Sequence, residues 1–311
     1  MSHYRHIECK FNKIQQFFIK FAPSFSPTMQ RLFDNHNHSQ FSFDGRRTSI
    51  EKSSLSAFDK GLAGICFSDH CDFYVPPMKA SFEDLVPEYF DIPQQQAEID
   101  RVQTLINRMS RKEEQPFKIL KGIEIGMYEE CHDQIRSTLD AHSFDQVIAS
   151  VHYIEQTDPY YGGFYEGKSW KEAYGKYLET IHREMTWLKD FDIMGHYDYI
   201  ARYAPYEQES ILYRDFSDIF DELFRYLIQE GKALEINTKS YQEYNGRKPE
   251  LDRNVLIRYR EMGGEIISFG SDSHDSIRQG EDFVHHARLL KSLGFRWSAH
   301  YENRRLIQLP L

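Results

Sequence analysis

Long apolar runs are missing from this sequence of 311 residues. No stretch approaches the roughly 18 uninterrupted apolar residues of a membrane span, so an integral helical membrane protein is not expected. Cysteine is scarce. Cys9, Cys66, Cys71 and Cys131 are the only four, and none forms a C-x-x-C pair. Four thiols so widely spaced make neither a disulfide framework nor a thiolate zinc site, and they read as reduced cysteines in a cytoplasm. Positive charge is also in short supply: 38 Lys and Arg face 48 Asp and Glu, a formal charge of −10. Such a surface repels nucleic acid at long range, so no nucleic-acid partner is expected. Neither a low-complexity tract nor an internal repeat interrupts the chain.

What is present divides into two unequal parts. Residues 1–29 carry Phe11, Ile14, Phe17, Phe18, Ile19 and Phe21 at mixed spacing, broken by Gln15, Gln16 and Lys20. That makes a poor signal-peptide core, and Pro23 and Pro27 end any helix. The segment reads as a short N-terminal extension, either an amphipathic helix on the domain or a poorly ordered arm. A membrane-surface anchor and a translation start at Met29 are the competing readings. Residues 30–311 alternate strand and helix. Strands are expected at 31–36, 62–68, 117–125, 144–151, 191–195, 233–236 and 265–269, with helices over 49–60, 93–111, 131–141, 170–189, 216–230 and 254–262. Gly61, Gly231 and Gly263 stand where helices should stop. Strands separated by helices imply parallel pairing, and seven such units predict one α/β domain, a distorted TIM-like (β/α)7 barrel. The long stretches 71–93 and 153–169 are expected as loops over an active-site mouth.

The strand ends carry the chemistry. The first ends in His36-Asn37-His38, followed by Asp44; the second in Ser68-Asp69-His70; the third in Gly122-Ile123-Glu124. The fourth ends in Ser150-Val151-His152, the fifth in Gly195-His196, the sixth at Asn237 and the seventh in Ser271-Asp272-Ser273-His274. Residues two apart in an extended chain point the same way, so His36 and His38 can serve one metal. In a parallel barrel these C-terminal ends converge on one face. His36, His38, His70, His152, His196, His274, Asp44, Glu124 and Asp272 then meet in one bowl. Nine donors are too many for one ion, and mixed imidazole and carboxylate ligation suits zinc, manganese or iron rather than calcium. The other eight histidines lack this context. His3 and His6 lie in the extension, and His132, His142, His182, His285, His286 and His300 read as structural or solvated residues on helices or surface stretches. Asp34, Asp69 and Asp198 stand one or two residues from the candidates and are expected to orient imidazole N–H groups.

The order H-x-H-x5-D, S-D-H, G-I-E, S-V-H, G-H and S-D-S-H resembles the polymerase and histidinol phosphatase (PHP) superfamily. Its single-domain length and the run Ser150-Val151-His152-Tyr153 are most similar to the histidinol-phosphatase branch, and Asp44 fits that branch. The resemblance spans residues 31 to about 285 and implies a trinuclear metal centre. By it, His36, His38, Glu124 and Asp272 hold one metal. Glu124 bridges to a second with His152 and His196, and Asp44, His70 and His274 hold a third. It further implies two to three divalent transition metals (Zn, Mn or Fe) and a cytoplasmic phosphatase of histidine biosynthesis. The expected reaction is hydrolysis of L-histidinol phosphate by metal-activated hydroxide in line with the leaving alkoxide. Another small phosphate ester or a nucleotide is the alternative substrate, and a non-enzymatic module is disfavoured because every ligand position is filled.

A phosphate dianion calls for an arginine fork, and Arg202, six residues past His196, is the first candidate. The resemblance also points to an arginine in this segment. Lys239 and Arg247 follow the sixth strand as weaker candidates. Tyr153, Tyr160, Tyr161 and Phe164 are placed to stack on an imidazole ring, and Glu155 or Asp158 to meet an ammonium. Neither an oligomeric state nor a general acid follows from the sequence.

Overall fold

The structure, a computed structural model, describes residues 32–45, 47–74, 88–109 and 116–311. The extension lies outside the described residues, as does the middle of the expected loop 71–93. Ten strands and seven α-helices are found among the described residues. Seven strands form the parallel frame: β1 (Phe33–Asn37), β2 (Gly64–Phe67), β4 (Lys118–Gly126), β5 (Gln146–Ser150), β6 (Ile193–Met194), β7 (Ala233–Asn237) and β8 (Ile267–Gly270). β2, β5 and β8 are buried at every position, as parallel strands covered on both faces must be.

The helices are α1 (Ile50–Asp59), α2 (Ile92–Met109), α3 (His132–Ala141), α4 (Trp170–Leu188), α5 (Ser217–Glu230), α6 (Arg253–Glu261) and α7 (Phe283–Ser292). Their starts follow from local chemistry. Ser49 caps α1 by accepting from the Lys52 N–H, and Ser169 with Glu172 forms a full capping box on α4. Gly61, Gly231 and Gly263 all take positive φ just past helix ends.

The sheet runs β1-β2-β4-β5-β6-β7-β8, then β9 (Trp297–Glu302) and β10 (Arg305–Pro310), and the ends of β1 and β8 come back together. The His38 N–H donates to Ser273 O at 3.0 Å, and the Asp272 N–H donates to His36 O at 2.8 Å. This curl makes the expected distorted (β/α)7 barrel. Three strands and one helix were not anticipated: β3 (His70–Cys71), β9 (Trp297–Glu302), β10 (Arg305–Pro310) and α7. The β9–β10 hairpin reaches the starts of β4, β5 and β6. Lys118 pairs with Glu302 at 2.7 Å, the Asn303 N–H donates to Asp145 at 2.9 Å, and Arg304 pairs with Asp192 at 2.6 Å. Leu309 packs beside Phe33, Cys66 and Leu120, while Tyr301 joins Ile148, Ile193 and Ala233. His300 is therefore no surface residue. It lies on β9, 3% exposed, with its ring 4.3 Å from that of Phe33. Cys66, Cys71 and Cys131 are free and buried. Among the described residues no helix is long and apolar enough to cross a membrane.

Candidate metal centre

All nine side chains expected at the strand ends come together at the C-terminal end of the barrel. Glu124, at the end of β4 and fully buried, is the hub. Its Oε2 lies 3.2 Å from His36 Nε2, 3.6 Å from His38 Nε2 and 3.0 Å from His70 Nδ1. Its Oε1 lies 3.1 Å from His152 Nε2 and 3.0 Å from His196 Nε2. Asp272 Oδ1 is 3.2 Å from His38 Nε2, and Asp44 Oδ2 is 2.7 Å from His274 Nε2 and 3.8 Å from His70 Nε2. Three overlapping sets have the ligand spacing of a metal site: His36, His38 and Glu124; Glu124, His152 and His196; and His38, Asp44, His70 and His274. Asp272 joins His36 and His196 in a fourth, and Asp72 joins His70 and His152 in a fifth.

The local backbone explains this convergence. The register of β1 against β2 shifts between Asp34 and Asn37, which breaks the strict alternation of side chains. Asp34 then accepts from the Ser271 and Gly280 N–H groups, away from the bowl. Asp272 sits at φ 47, a left-handed conformation that costs a non-glycine residue energy. The His36 carbonyl, Asn237 Nδ2 and Lys239 Nζ hold it there, at 2.8, 3.2 and 3.0 Å.

The electrostatics are those of charges forced to share one buried space. Burial alone raises the Glu124 carboxyl, but His36, His152 and His70 outweigh it and hold its pKa well below the carboxylate range. Asp272 behaves likewise, with burial overcome by Lys239 and His36. Burial depresses the His38 imidazole, and the neighbouring His274 and His70 push it lower still. His36 Nε2, both ring nitrogens of His38, His70 Nδ1, Glu124 Oε2 and His196 Nδ1 are buried without a hydrogen bond. Each such group costs about 1–3 kcal/mol. Divalent cations would satisfy one nitrogen of each such imidazole and the Glu124 oxygen, so this donor set fits the metals that its chemistry implies.

The expected orienting residues are corrected by the structure. Asp69 accepts from the Ser39 N–H and from Ser39 Oγ at 2.6 Å and Gln95 Nε2 at 2.9 Å, and Asp198 lies beside Ser240 and Tyr241. With Asp34, they tie loops together and leave the imidazoles to other acids. Glu235 Oε1 lies 2.7 Å from His36 Nδ1, and Asp72 Oδ1 lies 3.0 Å from His152 Nδ1. Asp72 fits because Gly126 opposite it has no side chain; an added Cβ would overlap the carboxylate. The sequence signal for Asp72 was its place two residues past His70, and for Glu235 its burial within a short apolar strand.

Above the cluster opens a cavity of about 360 Å³. One wall holds Asp44, His70, His152, His196, Asp272 and His274, and Arg202 and Lys239 border it. Arg202 is 9% exposed, donates from Nη1 to Lys239 O at 2.9 Å, and keeps a buried Nε without a hydrogen bond. Lys239 Nζ lies 3.1 Å from His274 Nδ1. The rest of the lining is aromatic, with Tyr153, Tyr160, Tyr161, Tyr199, Tyr203 and Tyr244, and Glu88 and Asp158 add acid. Three expectations for this lining do not hold. Phe164 is 1% exposed in the core, because it packs under α4 rather than into the mouth. Glu155 is drawn off by Lys168 and Lys176, both at 2.9 Å. Arg247 does not line the cavity, since its guanidinium donates to the Tyr206 carbonyl.

Comparison with known proteins agrees with this geometry. The PHP domain family matches residues 34–239. The chain is 34% identical over 280 residues to the histidinol-phosphatase of Lactococcus lactis, covering 89% of this chain and 97% of that protein. A Clostridium acetobutylicum protein named "Probable histidinol-phosphatase" is 32% identical over 251 residues, 79% of this chain and 88% of its own. The fold matches the crystal structure of the Lactococcus lactis histidinol phosphate phosphatase complexed with zinc, L-histidinol and phosphate, with a TM-score of 0.75 and 32% identity over 89% of this chain and 99% of that one. A buried bowl of imidazoles and carboxylates at the strand ends of such a barrel, matched over most of its length, makes this chain a member of the PHP family, in its histidinol-phosphatase-like branch.

Proposed function

We propose that this chain is a metal-dependent phosphomonoesterase that hydrolyses L-histidinol phosphate to L-histidinol and phosphate in histidine biosynthesis. The observation that carries this reading is the gathering of nine ligand-type side chains with Glu124 at their hub, six buried ring or carboxylate atoms being left unbonded. Relatives named for this activity, one solved with zinc, L-histidinol and phosphate, support the substrate. Residues 30–311 form the phosphatase domain in this reading, and residues 1–29 are an extension to it. The free buried thiols fit a cytoplasmic location.

His36, His38, Glu124 and Asp272 hold one metal, Glu124, His152 and His196 a second, and Asp44, His70 and His274 a third. Zinc, manganese or iron in two to three equivalents supplies neutralisation of the phosphate dianion and acidified water at neutral pH. The chain's own residues do the rest. Arg202, which lines the cavity and keeps an unbonded Nε, presents a guanidinium fork to phosphate oxygens. Lys239, anchored on Asp272, adds a second positive charge beside the same oxygens. The tyrosine wall receives the imidazole ring, and Asp158 and Glu88 give the ammonium acidic neighbours. The test is a side-by-side assay of histidinol phosphate, nucleotides and an aryl phosphate. Histidinol phosphate should exceed the others in kcat/KM on the order of a hundredfold. Equal rates for all three, or preference for a nucleotide, would replace the substrate and leave the phosphatase chemistry.

A further inference from the structure

Glu235 lies on β7, 2% exposed, between two of the ligand groups. Its Oε1 lies 2.7 Å from His36 Nδ1. Its Oε2 accepts the backbone N–H of His196 at 2.7 Å. A carboxyl group offers two oxygens, and the His196 backbone N–H can only donate to one of them, which leaves the other for the His36 ring. The His36 ring therefore presents its Nδ1 edge to Glu235. Its Nε2 is then the atom left for the cluster, 3.2 Å from Glu124 Oε2 and without a hydrogen bond. The carboxylate reaches across from β7 to β1 because β8 has glycine at position 270. A Cβ there would overlap both Glu235 Oε1 and His36 Cβ.

We infer that Glu235 is a positioning residue that fixes the ring form of His36 and the main chain of His196 together, so that one buried carboxylate sets two metal-ligand groups against each other. Only its consequence for zinc binding rests on the phosphatase reading; the two hydrogen bonds are testable without metal. A carboxylate, with two acceptor oxygens, serves both groups. A glutamine has one acceptor oxygen and cannot, which makes Glu235→Gln the discriminating variant at nearly constant shape.

The experiment uses the full chain, stripped of metal and labelled with nitrogen-15. Wild type should show a protected His36 Nδ1–H and a slowly exchanging His196 amide. Glu235→Gln should lose one of these signals, Glu235→Ala both, and Gly270→Ala should weaken both by displacing the carboxylate. Zinc affinity, read by chelator competition, should fall about ten- to hundredfold in Glu235→Gln with its melting transition still cooperative. Both signals at wild-type values in Glu235→Gln would overturn the inference, as would unchanged zinc affinity. If Glu235→Ala does not fold, the glutamine variant decides alone. If wild type takes up no zinc, the phosphatase reading falls, and the two proton signals still decide the role of Glu235.

Discussion

The two ends of the barrel are built from similar residues and treat them in opposite ways. At the N-terminal end, Glu302 and Arg304 of the β9–β10 hairpin meet opposite charges: Glu302 with Lys118, and Arg304 with Asp190 and Asp192. Its buried histidine, His300, stacks on Phe33 and bonds Glu302 at 3.0 Å. At the C-terminal end, six histidines crowd three carboxylates, and several ring nitrogens have no hydrogen bond at all. So many unbonded donors and acceptors in one place call for something else to complete the site. The contrast teaches that neither burial nor a single unbonded nitrogen marks a functional histidine, since His300 Nδ1 is also buried without a hydrogen bond; what marks the site is the convergence of several such rings on shared carboxylates.

The sharpest way to break this contrast is to remove one histidine from each end. His152→Ala should lower turnover by about a hundredfold or more with the fold retained. His300→Ala should leave turnover near wild type while lowering the melting temperature. Steady-state kinetics beside thermal unfolding checks both, and equal kinetic losses would erase the distinction. Next in size is Phe33→Ala, which removes a ring 2% exposed from the closed end. It should cost about 3–5 kcal/mol in denaturant unfolding and leave zinc content unchanged. Arg202→Ala should raise KM for histidinol phosphate about ten- to hundredfold, with Arg202→Lys recovering only part, because a single ammonium cannot reproduce the fork. The smallest effect belongs to Arg304→Ala. A partly solvated pair of this kind contributes about 1 kcal/mol or less, and kcat should not move.

The sequence made the open end far more legible than the closed one. His36, His38, His70, Glu124, His152, His196, Asp272 and His274 each end an apolar run, and the barrel topology does the gathering. Strand existence was therefore enough to place them, even where bounds shifted by a residue or two. Glu235 and Asp72 escaped because their roles exist only across strands. Glu235 meets His36 from 199 positions away, and nothing in its own neighbourhood announces that partner. Asp34, Asp69 and Asp198 misled for the converse reason: nearness in sequence to a histidine is not nearness to its ring. The β9–β10 hairpin was missed because no helix separates its strands and β10 is mostly exposed, so the alternating grammar of the barrel stops before it. His300 was misplaced with it.

Anomalous diffraction from crystals of the zinc-loaded protein tests the central claim most directly. Two or three peaks inside the bowl, with Glu124 between one on the His36 side and one on the His152 side, is the predicted result. An empty bowl, with zinc found only at surface histidines such as His182 or His285, would contradict it.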